Sequence, residues 1–339
     1  MKIDVLDCTL RDGGIVIDFN FGVRTMRKIK ECLEEANVKY IECGYIDEKK
    51  GSPIGRTCFD SEKSIEEFLD GSKKEDVIYV AMIDYGKYDF DKLSYRTPKG
   101  IDGIRLAFHK ENSKDMIECA KKILSKGYEL YIQPMVITRY SDDDFVKLID
   151  ECNTELSCAK GFYIVDSFGQ MNEDMVLHYL SILDEKLSEN MIIGFHSHNN
   201  RQLSYANARF FADYNAKHNL LIDASIMGMG KGAGNLCTEL ILSYLNEKEG
   251  KYHLNGIYEI IGNYFSEMKI TNPWGYSLNY YLSSIYACTP SYVKYFLKNQ
   301  DVGIDELIEL LRDLPAEKKS AFDENYSKQH LLEYFKNRN

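Results

Sequence analysis

From residue 3 to about residue 247, short apolar segments rich in β-branched residues alternate with longer stretches whose apolar positions recur every three or four residues. A strand changes face at every residue and a helix returns to one face every third or fourth, so the alternation predicts repeated βα units around a parallel sheet. Eight strands are expected, at residues 3–10, 40–44, 77–83, 103–108, 128–136, 161–166, 192–198 and 221–227. Helices are expected between them, as at 23–36 and 113–125. In the latter, Ser113 can cap the first turn, Met116, Ile117, Ala120, Ile123 and Leu124 mark one face, and Gly127 ends the helix. Ser141 followed by three aspartates repeats the same start signal.

Eight such units over roughly 250 residues predict an α/β fold, a (β/α)8 TIM barrel, whose functional groups gather on the loops after the strands. A doubly wound open sheet is the alternative, but the first βα turn lacks the GxGxxG fingerprint of nucleotide binding. Beyond about residue 250 the strand signals fade and helical ones follow at 256–269, 279–286, 292–298 and 304–311. The chain is therefore divided into a catalytic barrel, 1–247, and a helical C-terminal region, 248–339. The tyrosine-rich stretch 279–286 either packs on the barrel or on another subunit, or is an ordinary core helix.

Composition narrows the classes of function. A hydrophobic fraction of 44% and a charged fraction of 28% fit a soluble globular protein, and no apolar run is long enough to span a bilayer. The net charge of -11 argues against nucleic acid or an anionic membrane as partner. Residues 1–5 enter a strand directly, with neither a signal peptide nor a transit segment, so the cytoplasm is expected. Nine cysteines are scattered without a CxxC pair, which fits reduced thiols better than a disulfide framework or zinc ribbon.

The chemistry begins with His196-Ser197-His198. Two residues apart on a strand, both imidazoles leave one face, as in half of a divalent-metal site, although strand histidines are also common as satisfied core or surface residues. Asp12 ends the first strand, and barrel closure brings strands one and seven onto one rim, so Asp12, His196 and His198 form a mixed nitrogen and oxygen set suited to Mn²⁺, Mg²⁺, Zn²⁺ or Fe²⁺. Arg11 either stabilises negative charge developing on a carbonyl oxygen or simply pairs with Asp12. The glycine-rich segment 227–236 follows the eighth strand and lets backbone approach a ligand, but it is not a P-loop. Within it, Asn235 either adds a carbonyl oxygen to the metal shell or caps the next helix.

Taken together and in order, Thr9-Leu10-Arg11-Asp12-Gly13-Gly14, Ile41-Glu42-Cys43-Gly44, Val165-Asp166-Ser167-Phe168-Gly169, His196-Ser197-His198-Asn199 and Gly230-Lys231-Gly232-Ala233-Gly234-Asn235 resemble the DRE-TIM metallolyases, and among them the 4-hydroxy-2-oxovalerate aldolases. The resemblance covers residues 3 to about 247. It implies that Asp12, His196 and His198 hold a divalent cation, usually Mn²⁺ or Mg²⁺, with Asn235 near it. It implies that Arg11 stabilises a pyruvate-type enolate and that Ser167 lines the substrate site. The expected substrate is a 4-hydroxy-2-oxo acid, cleaved to pyruvate and an aldehyde or formed from them. A Claisen-type acyl-CoA synthase or lyase on the same barrel, and a catalytically impaired binding or scaffold protein, are the alternatives.

Two departures from the family stand out. The bacterial aldolases carry a histidine, the supposed general base, three residues after the metal-binding aspartate; this chain has Ile15. His109 is the expected substitute on the same rim, with Tyr45 and Glu42 as other choices. In those aldolases a C-terminal helical extension docks on an acylating aldehyde dehydrogenase; here residues 285–292 keep only a loose likeness, and a homo-oligomer contact is an equal expectation.

Overall fold

The computed structural model describes residues 2–69, 72–336 and 338. Nine strands form one sheet: β1 (Ile3–Asp7), β2 (Tyr40–Ile46), β3 (Cys58–Phe59), β4 (Ile78–Asp84), β5 (Gly103–Phe108), β6 (Glu129–Pro134), β7 (Gly161–Asp166), β8 (Ile192–Ser197) and β9 (Leu220–Ala224). Every pairing is parallel, and β1 pairs with both β9 and β2, so eight strands close into a barrel and the two-residue β3 rides on β2. Closure excludes the open sheet. It also removes the barrel's edges, which would otherwise expose unpaired backbone groups.

Helices α1 (Val23–Glu35), α2 (Glu62–Leu69), α3 (Ser113–Ser125), α4 (Asp142–Glu155), α5 (Glu173–Lys186), α6 (Ser204–Asp213) and α7 (Thr238–Glu249) connect the strands. Ser141 caps α4, its hydroxyl accepting from the Asp144 N–H at 3.2 Å. Ser113 does not cap α3. It is the first helical residue, after a 3-10 turn over Lys110–Asn112 that already leads the chain into the helix.

The first and last strands end three residues before their apolar runs do, and β6 stops at Pro134, two residues short of the expected 136. The first stops at Asp7, whose carboxylate accepts from the Thr9 N–H at 2.9 Å and the Thr238 hydroxyl at 2.6 Å and so turns the chain. The last stops at Ala224, before a 3-10 turn in which Met227 takes φ 53°. In both, apolar side chains remain buried in turns, so hydrophobicity continues where extended backbone does not.

The barrel interior departs from a filling of branched aliphatics. Toward the N-terminal ends of the strands it holds Leu6, Tyr40, Val80, Tyr131, Tyr163 and Leu221. Glycines make room for the rings: a Cβ at Gly103 or Gly161 would lie 2.9 Å or 3.1 Å from Tyr131, and one at Gly194 would overlap the Tyr163 ring. Above them lies a layer of charge. Arg105 sits 4.8 Å over Tyr163, 2.9 Å from a Glu42 oxygen and in an ion pair with Asp223, all fully or nearly fully buried.

Beyond the barrel, α8 (Asn255–Ile260), a π-helical turn (Ile261–Phe265) and α9 (Ser266–Thr271) follow. Ile257, Ile260, Phe265 and Trp274 from this stretch join the main barrel core. Helices α10 (Leu278–Ile285), α11 (Pro290–Phe296), α12 (Ile304–Arg312) and α13 (Glu324–Lys336) build a second core around Tyr292, Phe296, Leu307 and Leu311. On α10, Leu282, Ser283 and Ser284 are buried while Tyr281 and Ile285 are exposed. No helix among the described residues is long and apolar enough to cross a membrane.

Candidate active site

Arg11 and Asp12 owe their positions to the turn after β1. Cys8 donates its N–H to Ala224 O at 2.8 Å, its own carbonyl accepts from the Arg11 and Asp12 N–H groups, and the Thr9 hydroxyl accepts from Ile226 N–H at 2.8 Å. The β1 turn is thereby bolted to the loop after β9. That loop closes on itself through Asn235 N–H to Gly228 O at 2.9 Å and reaches the end of β8 through Asn199 N–H to Gly234 O at 2.8 Å. Asn200 adds a side-chain clamp, donating to Phe168 O and accepting from Ala233 N–H. The ends of four strands, β1, β7, β8 and β9, are thus tied into one rim.

On this rim Asp12, His196 and His198 are all buried, each offering an atom within 4.8 Å of the others. His196 Nδ1 lies 2.9 Å from Asp223, while its Nε2 faces Asp12 at 3.7 Å. A carboxylate on Nδ1 favours the tautomer that leaves Nε2 free, the arrangement used to orient metal-ligating histidines. Burial holds the His198 imidazole down at about 4 against the opposing Asp12 charge, so it is a neutral donor at ordinary pH. Burial alone would raise Asp12, but Arg11 and the two imidazoles hold it well below the usual carboxylate range.

These residues fit a divalent cation. His198 Nδ1 and the Asn235 side-chain oxygen are buried without a hydrogen-bond partner among the described residues, while the Asn235 amide donates to Met229 O at 3.1 Å and leaves the side-chain oxygen available. Gly230 packs against Asp12 and Asn235: a Cβ there would come within 2.7 Å of Asp12 Oδ1 and overlap the Asn235 amide. Asn235 does not cap a helix, since α7 begins at Thr238 with Cys237 before it.

Arg11 is more than a partner of Asp12. Its Nη1 bonds Asp12, its Nε donates to Glu42 at 2.7 Å, and its buried Nη2 has no hydrogen-bond partner among the described residues. The two carboxylates keep the guanidinium charged despite burial. One buried cationic N–H group therefore remains for an oxyanion.

A cavity of about 380 Å³ opens over these groups. Arg11, Asp12, Ser167, His196, His198 and Lys231 line it, as do Tyr45 and Asp84. The Ser167 hydroxyl accepts from the Val136 N–H at 2.9 Å and so holds a β-branched residue at φ 53°. His109 follows β5 on the same rim, half-buried, but is not among the side chains that line the cavity. Asn235 lies behind the cavity wall. The charged layer of Arg105 and Asp223 was not anticipated from the sequence; their mid-strand positions within apolar runs were the available signal.

The family model described as HMGL-like matches residues 104–260. The chain is 27% identical over 245 residues to the 4-hydroxy-2-oxovalerate aldolase of Geobacillus thermodenitrificans, covering 71% of this chain and 69% of the relative. It is 30% identical over 248 residues to the enzyme of that name from Thermomicrobium roseum, covering 72% and 66%. Among solved structures, the N-terminal domain of a provisionally named aldolase from Bacteroides vulgatus superposes with a TM-score of 0.78 at 26% identity, covering 90% of this chain and 99% of that one. With the closed barrel and the ordered motifs, these likenesses show that the chain belongs to the HMGL-like family, within the DRE-TIM metallolyases.

Proposed function

We propose that this chain is a divalent-metal-dependent pyruvate aldolase, cleaving a 4-hydroxy-2-oxo acid to pyruvate and an aldehyde, or running the reverse condensation. The observation that carries this reading is the free buried Nη2 of Arg11 beside the Asp12, His196 and His198 triad. Asp12, His196 and His198 would hold the cation, with Mn²⁺ or Mg²⁺ the expected occupants and Asn235 adding its side-chain oxygen. When bound, the metal supplies an electron sink for the 2-oxo group, the role a Schiff-base lysine has in other aldolases.

The protein's own residues do the rest. Arg11 donates Nη2–H to the oxygen that gains charge as the C3–C4 bond breaks, and Asp12 and Glu42 fix its plane so that no reorganisation is needed at that moment. Asp223 holds the His196 ring, and Ser167 shapes the cavity wall through Val136.

The test is pyruvate release from a panel of 4-hydroxy-2-oxo acids, coupled to lactate dehydrogenase, with Mn²⁺-loaded protein. Wild type is expected to release pyruvate, and Arg11→Ala to lose at least about 100-fold in kcat/KM. Absence of pyruvate from every substrate with metal-replete wild type refutes the assignment.

A further inference from the structure

Carbon–carbon cleavage needs a group that takes the proton from the substrate's 4-hydroxyl, and Ile15, which lines the cavity, offers none. Of the ionisable side chains on the wall, Asp12, His196 and His198 are engaged with one another and Arg11 remains a cation. Asp18 is exposed and ion-paired with Arg56, and Lys50 is an exposed ammonium whose Nζ lies 5.2 Å from the Phe19 ring centroid. Burial lowers the Lys231 side chain, but the Asp12 and Asp84 carboxylates beside it favour its cationic form, and its backbone N–H donates to Asp12 at 2.9 Å. Tyr45 and Asp84 remain.

These two come from neighbouring strands. Asp84 is the last residue of β4 and Tyr45 the sixth of the seven in β2, which pairs with β4. Their side chains meet, the phenol against the carboxylate, on the cavity wall. In the barrel order β8, β9, β1, β2, β4, they lie on the far side of β1 from His196 and His198, the side toward which a substrate anchored at the triad by its oxo-acid end would extend its C4.

We propose that Asp84, oriented by Tyr45, is the catalytic residue that accepts the proton of the substrate's 4-hydroxyl. This rests on the aldolase reading above. The hydroxyl proton passes to the Asp84 carboxylate, the C4–O bond becomes a carbonyl as C3–C4 breaks, and the bonding pair moves into the enolate beside Arg11. The same proton, returned to C3, completes pyruvate, and no oxidant or further reactant enters.

The charged surroundings suit the task. Burial raises the Asp84 carboxyl toward the range of a useful base, while the Tyr45 hydroxyl from β2, Arg11 after β1, Lys231 after β9 and His109 after β5 favour its ionised form. Burial and Asp84 push the Tyr45 phenol up, so it stays a neutral donor.

The experiment compares two reactions of the Mn²⁺-loaded full chain. Oxaloacetate decarboxylation forms the same enolate with no hydroxyl to deprotonate, whereas cleavage of 4-hydroxy-2-oxovalerate needs the base. Asp84→Asn is expected to lower kcat for cleavage by at least about 100-fold and to abolish the acidic limb of its pH profile. Decarboxylation should stay within about threefold of wild type. Mn²⁺ affinity by calorimetry should be unchanged. Tyr45→Phe should show the same selective loss, smaller in size.

Unchanged cleavage in Asp84→Asn overturns the proposal, as does a higher KM at unchanged kcat, which would make Asp84 a binding group. Equal loss of both reactions, or loss of Mn²⁺ binding, also overturns it by tying Asp84 to the enolate end. If wild type decarboxylates oxaloacetate but cleaves no hydroxy-oxo acid, the aldolase reading itself fails; if it does neither, the enolate site fails as well.

Discussion

Replacing Asp223 by asparagine separates what the buried charges do for the fold from what they do for the metal. The carboxylate lies between the Arg105 guanidinium and His196 Nδ1, all of them buried. Removing one partner of a buried ion pair costs about 3–5 kcal/mol, because the other charge stays behind in low dielectric. Here Glu42 remains 2.9 Å from Arg105 and the asparagine oxygen keeps one hydrogen bond, so the lower end, about 3 kcal/mol, is expected. The same change weakens the hold on the His196 tautomer, which in comparable sites lowers metal affinity about 10–100-fold. Urea unfolding of the metal-free protein reads the first effect and a Mn²⁺ titration by calorimetry the second. Adding Arg105→Met removes the stranded cation and should recover much of the stability without recovering the affinity. If Asp223→Asn binds Mn²⁺ like wild type, Asp223 does not orient His196; if affinity returns together with stability in the double variant, the loss was one of folding alone.

Three further outcomes are expected. Gly194→Ala should destabilise the protein by about 1–3 kcal/mol in urea, since its methyl overlaps a Tyr163 ring pinned under Arg105; an unchanged midpoint would show that the ring has room to move. Burial raises Asp166 from 3.8 to about 6, so the folded state holds its proton more tightly than the unfolded state, and this group's contribution falls as pH rises from about 4 to 6. The stability of wild type relative to Asp166→Asn should therefore drop by about 3 kcal/mol across that window, and a flat difference would refute the assignment. Mn²⁺ at about 100 times its dissociation constant should stabilise the chelator-treated protein by about 2.7 kcal/mol, and Asp12→Asn should blunt the thermal shift; an equal shift in both would place the ion elsewhere.

The strands were legible because a buried parallel strand reads as an apolar run, and all eight barrel strands lie at their expected positions in the chain. Their ends were less so. At Leu10 and at Met227 the apolar signal runs on into turns fixed by the carboxylate of Asp7 and by backbone at positive φ, neither of which alters hydropathy. The triad of Asp12, His196 and His198 could be inferred because strand parity and barrel closure both constrain it. Arg105 and Asp223 escaped notice because a charge inside a strand reads alike whether it faces solvent or a barrel partner 118 residues away. Helix α13 was missed for another reason: its charged sequence buries only Ser327, and the second core is what it packs against.

The ionic layer also bears on how the candidate site would take up its ligands. Arg11 and Arg105 supply two positive charges, while Asp12, Glu42 and Asp223 supply three negative ones, in a connected row from the triad through the barrel interior and back to His196. Those five side chains carry one excess negative charge in a poorly solvated place, which is costly by itself. A divalent cation would turn that excess into a single positive charge, and a monoanionic oxo acid would then bring it to zero. The layer thus favours cation first and substrate second. On the aldolase reading, charge forming on the enolate oxygen would fall beside the Arg11 Nη2, where a donor is already desolvated and fixed, so the stabilisation would be greatest in the transition state rather than in the bound substrate.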